Sequence, residues 1–303
     1  MTQFQAREDG WAVAARVGVV VPHADVGPES ELQAMAPRDV SVHGSRVHFG
    51  AMRPGGEMDP KIPHDPVRAF IDPPFIDDAV ELLAAAPLDS IALGFTSSAY
   101  VLGADGEQKL FERLADRTRG IPLTGTTHAA AAGFRALGAE RIALVNPPWF
   151  DDELSALGAS YFGERGFDVV HHGPCGLPSN QKLITPEALV QWIESTVAPQ
   201  RPQAVLVAGN GIRAVGTIAG LEERIGFPVL TANQVLFWHA LHLAGGTAAA
   251  ARITEYGALF GVRPEDAATA DATAGTPVHA PVHAPADAPA DAPARGAAVG
   301  AAR

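Results

Sequence analysis

Five short stretches of this sequence gather the residue types that can hold or protonate an organic acid. They are Pro22-His23-Ala24-Asp25, Thr96-Ser97-Ser98-Ala99-Tyr100, Gly125-Thr126-Thr127-His128, Pro147-Pro148-Trp149 with Phe150-Asp151-Asp152, and Gly209-Asn210-Gly211-Ile212-Arg213. Thr96-Ser97-Ser98 and Gly209-Asn210-Gly211 are the densest in hydroxyl, amide and backbone donors. Placed just before a helix, such groups bind anions, because the first N–H groups of a helix have no partner inside it. Two such groups facing one another would grip both oxygens of a carboxylate, or of the enediolate formed when an α-carbon loses a proton or CO2. His23, with Asp25 two residues on as its orienter, and His128 are the candidate acids or bases near neutral pH. Each feature also has an ordinary reading. Ser and Thr before a helix act as caps, Gly-Asn-Gly forms a turn, and a loop histidine makes one structural hydrogen bond.

The elements that must position these residues are apolar runs alternating with helical patterns. The runs are Arg16–Val21, Ser90–Phe95, Ile121–Thr124, Arg141–Asn146, Phe167–Val170, Ala204–Ala208 and Pro228–Thr231. Their continuous β-branched character suits parallel strands buried on both faces. Helical spacing occupies 75–85, 107–117, 153–164, 187–197, 213–225 and 233–243. Gly138, Gly166 and Gly226 each sit where a left-handed residue would end a helix. The repeated strand–helix alternation predicts an α/β fold with parallel sheets, in which ligands sit beyond the carboxyl ends of the strands. All five stretches follow a predicted strand.

Composition narrows the function classes. The 303 residues carry 34 acidic and 22 basic side chains, a formal charge of -12, which disfavours a nucleic-acid backbone as partner. The single cysteine, Cys175, excludes an internal disulfide and a multi-cysteine metal site. His171-His172 with Cys175, and His279 with His283, are too sparse to predict a metal. There is no G-x-G-x-x-G after the first strand and no P-loop, which disfavours a dinucleotide site, and no cofactor is expected; the G-x-S-x-G spacing of a hydrolase elbow is absent as well. No signal segment or membrane span is expected, which makes the cytoplasm the default. Residues 264–303, rich in Ala, Pro and Asp with VHAP and ADAP repeats, read as a disordered tail. The acidic balance and the tail are compatible with a homo-oligomer.

At these residues the chain resembles the aspartate/glutamate racemase superfamily, in its maleate cis–trans isomerase and arylmalonate decarboxylase branch. The likeness runs from about Arg16 to Gly261 through VGVVVPHADVGPESELQAMAP, GFTSSAY, NPPWFDDEL, GNGIRAV and FPVLTANQVLFWHAL. It implies two similar α/β lobes about a pseudo-twofold axis, with the site between them. On that basis the lobes are expected at 1–124 plus 229–263 and at 125–228. The family carries a cysteine after one strand of each lobe: racemases use both, isomerases use one as nucleophile, and the decarboxylases keep the second as proton donor. Here the matching positions are Phe95 and Gly209, and Cys175 aligns with neither. Trp149 stands where the isomerases and decarboxylases carry Tyr, and Asp25 where the isomerase opening loop carries Asn.

Without thiols, the resemblance leaves a carboxylate cradle built from Thr96, Ser97, Asn210 and Gly211, with Phe95 and Trp149 as apolar walls. The expected function is a cysteine-independent, decarboxylase-like lyase acting on a small carboxylic acid through an enediolate, with His23 as proton donor and His128 in reserve. Isomerization or elimination on a small unsaturated or hydroxy acid is the alternative. A non-catalytic carboxylate-binding protein is another, and a ligand-free scaffold a third.

Overall fold

Valines dominate the first strand, and Val17, Val19 and Val21 are completely buried, as expected of a strand covered on both faces. The computed structural model describes Gly10, Trp11 and residues 13–264. Apart from Pro264, the expected tail, with His279 and His283, lies outside the described residues. The chain begins with β1 (Ala15–Pro22), α1 (Gly27–Met35), β2 (Val40–Val47) and a small hairpin, β3 (Met52–Arg53) and β4 (Glu57–Met58). It continues through α2 (His64–Ile71), α3 (Phe75–Ala84), β5 (Ser90–Leu93), α4 (Thr96–Ala115), β6 (Leu123–Gly125) and α5 (Thr126–Ala136). Then follow β7 (Arg141–Val145), α6 (Asp152–Gly163), β8 (Asp168–His171), α7 (Pro186–Trp192), β9 (Ala204–Val207), α8 (Ile218–Ile225), β10 (Val229–Thr231), α9 (Ala232–Leu243) and α10 (Thr247–Ala250).

Two four-stranded sheets result, ordered β2-β1-β5-β6 and β8-β7-β9-β10. All pairings within them are parallel. In each sheet the second strand of the lobe flanks the first, and the third and fourth follow on the other side. The architecture is therefore α/β with two similar lobes. The expected lobe boundary at 228/229 needs correcting at one strand. β10 hydrogen-bonds to β9 and completes the second sheet, whereas α9, directly after it, packs on β5 and β6 of the first. That crossing explains why α9 is buried from Ala232 to Leu241: apolar neighbours surround it. Thr231 and Gln234 close its start with a capping box.

Gly138, Gly166 and Gly226 have φ of 66°, 90° and 78°, the left-handed stops that their places predict. α4 begins well before the predicted 107–117 and breaks at Gly103 (φ 69°). Its first half carries Thr96 to Tyr100, all buried.

Candidate active site

The carboxyl ends of β1, β5, β7 and β9 converge on a cavity of about 30 Å³. Pro22 ends β1 and Asp25 follows it; Gly94, Phe95, Thr96 and Ser97 follow β5; Trp149 and Phe150 follow β7; Gly209, Asn210 and Gly211 follow β9. The remaining wall comes from Phe49, Met52, Met58 and Ile62, on the segment that holds the small hairpin, and from Gln181 of the second lobe. That segment is strapped across the lobes. Lys61 Nζ donates to Pro148 O (2.9 Å) and Phe150 O (2.6 Å), and the Ile62 N–H donates to Trp149 O (2.9 Å).

Thr96 and Asn210 meet as the two-lobe cradle requires, but they bind each other. The Thr96 N–H and hydroxyl both donate to Asn210 Oδ1, at 3.0 and 2.8 Å. The Gly209 N–H donates to Thr96 Oγ1 (3.2 Å), and Asn210 Nδ2 donates to Asn233 Oδ1 (2.9 Å) and approaches Thr126 Oγ1 (3.1 Å). These side chains thus join the lobes and shape the cavity floor, a correction to the expectation that both point at a ligand. Ser97 differs. It lines the cavity at 2 % exposure, and its hydroxyl has no hydrogen-bond partner among the described residues. It lies in the first turn of α4, whose N-cap, Phe95, makes no side-chain capping bond.

Asp25 is the single titratable side chain among the residues lining the cavity. Its Oδ1 accepts the Gly27 N–H (2.9 Å) and its Oδ2 accepts from Gln181 Nε2 (3.4 Å). Burial pushes its carboxyl above the usual range, against the pull of those two hydrogen bonds. A Cβ on Gly211 would stand 3.2 Å from Asp25 Oδ2, so this carboxyl lies against the Gly209–Gly211 turn.

Neither histidine reaches the cavity. The Phe49 N–H donates to His23 Nδ1 (3.1 Å), and the His23 ring stacks on His48 with centroids 4.8 Å apart. Asp25 does not orient it; the carboxyl faces Gly27 and Gln181 instead. Burial, helped by His48 and Arg46, lowers the His23 pKa. His128, three residues into α5, turns away from the strand end and lies 5.7 Å from Phe111 and 5.4 Å from His239, centroid to centroid. Burial pushes it down to about 4, so it is neutral at pH 7. Cys175 is buried beside Asn146, outside the cavity lining, with its thiol pushed up to about 11 by burial. Among the described residues, no three His, Cys, Asp or Glu side chains are grouped to hold a metal ion. No helix among them is long and apolar enough to cross a membrane.

Sequence reasoning missed Gln181, Glu31 and Asn233. Asn233 and Glu31 support the floor from outside the cavity: Asn233 Nδ2 donates to Asn210 O (2.9 Å) and to Glu31 Oε2 (2.7 Å). For Asn233 the available signal was a polar pair, Asn233-Gln234, at the head of a largely apolar helix, in TANQVLFWHAL.

Two parallel-sheet lobes whose strand ends share one acid-lined, apolar-walled cavity define a class of two-lobed α/β enzymes. A family model described as arylmalonate decarboxylase matches residues 68–260, and the chain belongs to that family. Arylmalonate decarboxylase from Bordetella bronchiseptica is 26% identical over 223 residues, which cover 66% of this chain and 91% of that protein. Maleate isomerase from Nocardia farcinica is 23% identical over 223 residues, covering 72% of this chain and 85% of that protein. The liganded form of an arylmalonate decarboxylase double mutant superposes with a TM-score of 0.68 at 24% identity, covering 82% of this chain and 99% of that one.

The two positions assigned by resemblance to the family's cysteines are filled in different ways, and only the second resists a side chain. The Phe95 ring packs on Phe70 and Phe49, with centroids 4.1 and 4.9 Å away. Gly209 has φ 84°, and a Cβ there would stand 2.2 Å from Pro147 Cγ.

Proposed function

We propose that this protein is a cofactor-independent decarboxylase of small malonate-type acids, working without a thiol, with Asp25 as its proton donor. One observation carries the reading: Ser97, whose hydroxyl has no partner among the described residues, and Asp25, whose carboxyl is buried, line the same apolar-walled cavity. Membership of the arylmalonate decarboxylase family supports it.

In this reading the retained carboxylate lies against the hydroxyl and backbone N–H of Ser97, in the first turn of α4, while the departing one faces the rings of Phe49, Phe95 and Trp149. The bond between the α-carbon and the departing carboxylate breaks, CO2 leaves, and the electron pair stays on the enediolate, which the donors stabilise. The Asp25 O–H bond then breaks and its proton goes to the α-carbon. Water returns a proton to the Asp25 carboxylate. Burial favours a protonated Asp25, and a negatively charged substrate beside it favours that form further. The role first expected of His23 thus falls to the carboxyl expected to orient it. A cavity of about 30 Å³ has room for one or two waters, so the Phe49–Ile62 wall must shift to admit an acid.

Similarity to maleate isomerase supports a second reading, isomerization or elimination with an ionised Asp25 as base. Incubation with a panel of substituted malonates, maleate-like acids and hydroxy acids separates the two. Loss of CO2, followed by mass spectrometry, supports decarboxylation. Rearrangement at constant mass, seen by NMR, or loss of water supports the second reading. Binding without turnover of any acid would leave a carboxylate-binding protein.

A further inference from the structure

Glu31 lies on α1, buried, and does not line the cavity. Its carboxylate nonetheless accepts three N–H groups. The backbone N–H groups of Ala214 (2.7 Å) and Val215 (3.1 Å) donate to Oε1, and Asn233 Nδ2 donates to Oε2. Burial raises the Glu31 pKa, and these three donors oppose the rise by favouring the ionised form. An ionised carboxylate only accepts hydrogen bonds, so the nitrogen end of the Asn233 amide must face it. The oxygen end of Asn233 is then left to accept from Asn210 Nδ2. Asn210 is thereby turned with Oδ1 toward the Thr96 N–H and hydroxyl. Every amide in this chain has one sense, held between the acceptor-only Glu31 carboxylate at one end and the donor-only Thr96 N–H at the other, with the Asn210 carbonyl also accepting from Asn233.

We propose that Glu31, acting through Asn233, is a positioning residue that fixes which way the Asn210 amide faces, and so holds the Thr96–Ser97 helix start against the Gly209–Gly211 turn. The consequence for acid binding and turnover rests on the decarboxylase reading; the positioning itself does not.

A near-isosteric E31Q change tests the sense of the chain rather than its packing. If the introduced amide keeps its oxygen on Ala214 and Val215, its NH2 opposes the NH2 of Asn233. Turning the introduced amide over moves the clash to the Ala214 and Val215 N–H groups. Turning Asn233 moves it to Asn210, and turning Asn210 moves it to the Thr96 N–H. Some buried donor is left unmet in every arrangement. Moving the carboxylate one step along, in E31Q/N233D, restores a consistent sense. The introduced amide then accepts from Ala214 and donates to the introduced carboxylate, which also accepts from Asn210 Nδ2. The swap also sets a carboxylate oxygen against the Asn210 carbonyl, which accepts from Asn233 Nδ2 in the wild type, so rescue is partial.

The test is hydrogen exchange of the Thr96 amide, read by NMR, together with the affinity for oxalate, a dicarboxylate with no α-carbon to react, and kcat and KM on any malonate turned over. In E31Q the Thr96 amide is expected to lose at least tenfold of its exchange protection and oxalate to bind at least tenfold more weakly. E31Q/N233D is expected to recover most of the protection and part of the affinity. Thr96 protection unchanged in E31Q, or a swap no better protected than the single variant, overturns the proposal. Should E31Q fail to fold, a folded and Thr96-protected double variant supports the proposal, and a double variant that also fails overturns it. Loss and recovery of protection without oxalate binding or turnover in the wild type would sink the decarboxylase reading and leave the positioning role standing.

Discussion

Asn210 Oδ1 accepts both the backbone N–H and the hydroxyl of Thr96, 114 positions earlier in the chain. This joint closes the cavity floor, and it divides two neighbouring hydroxyls into different tasks. The Thr96 hydroxyl is engaged by Asn210 and Gly209; Ser97 lines the cavity, and its hydroxyl has no hydrogen-bond partner among the described residues. Thr96→Val is therefore expected to lower stability by about 1–3 kcal/mol, because buried acceptors and donors lose their partner. Ser97→Ala is expected to leave Tm nearly unchanged and to lower kcat on a decarboxylated acid by about 10²–10³. Thermal melts and kinetics on the two variants check the contrast; equal losses of stability would contradict it.

The strand ends that carry this joint were legible because long apolar runs mark buried parallel strands and ligands gather beyond them. Asp25, Phe95, Thr96, Ser97, Trp149, Asn210 and Gly211 all line the cavity. What the strand ends could not reveal was direction. His23 sits at the right place but its ring turns to His48, and His128 sits far enough into its helix to face Phe111. β2 escaped notice because its half-exposed VSVHGSRV is an edge strand with polar residues and a glycine, without a buried-strand pattern. The pairing of Glu31 with Asn233 was hidden for another reason: its meaning lies in a contact between residues 202 positions apart.

Gly209 answers to two constraints, a left-handed backbone and the Pro147 ring. A side chain in that conformation alone costs about 1–2 kcal/mol, and the ring contact adds to it. Gly209→Cys is therefore expected to unfold at a clearly lower temperature than wild type and to gain no thiol-dependent turnover. Differential scanning calorimetry and an alkylation-sensitive activity assay test this. A stable Gly209→Cys protein with new, thiol-blocked activity would refute the steric argument.

Glu107 is buried between Tyr161 and Arg165, both of which donate to its Oε2, and burial pushes its carboxyl up to about 7. The folded state then holds a proton that the unfolded chain releases near its ordinary value. Stability from this source is present below the unfolded pKa and is lost as pH rises toward 7, at up to about 1.4 kcal/mol per pH unit. Glu107→Gln is expected to flatten the stability profile between roughly pH 4.5 and 7. Urea melts across that range decide it, and an unaltered slope would count against the shift.

Asp25 follows the same sign. Its raised carboxyl destabilises the fold as pH rises, so Asp25→Asn is expected to melt higher than wild type above neutral pH while losing activity. An acid acting in its protonated form also gives a rate that falls as pH rises through its pKa.

The most direct test of the account is decarboxylation of a substituted malonate in D2O by wild type, Asp25→Asn and Cys175→Ser. The expected result is a product with deuterium at its α-carbon from wild type and Cys175→Ser at equal rates, and a loss of about 10²–10⁴ in rate for Asp25→Asn. An Asp25→Asn protein as fast as wild type, or a Cys175→Ser protein that fails to turn over, would contradict it.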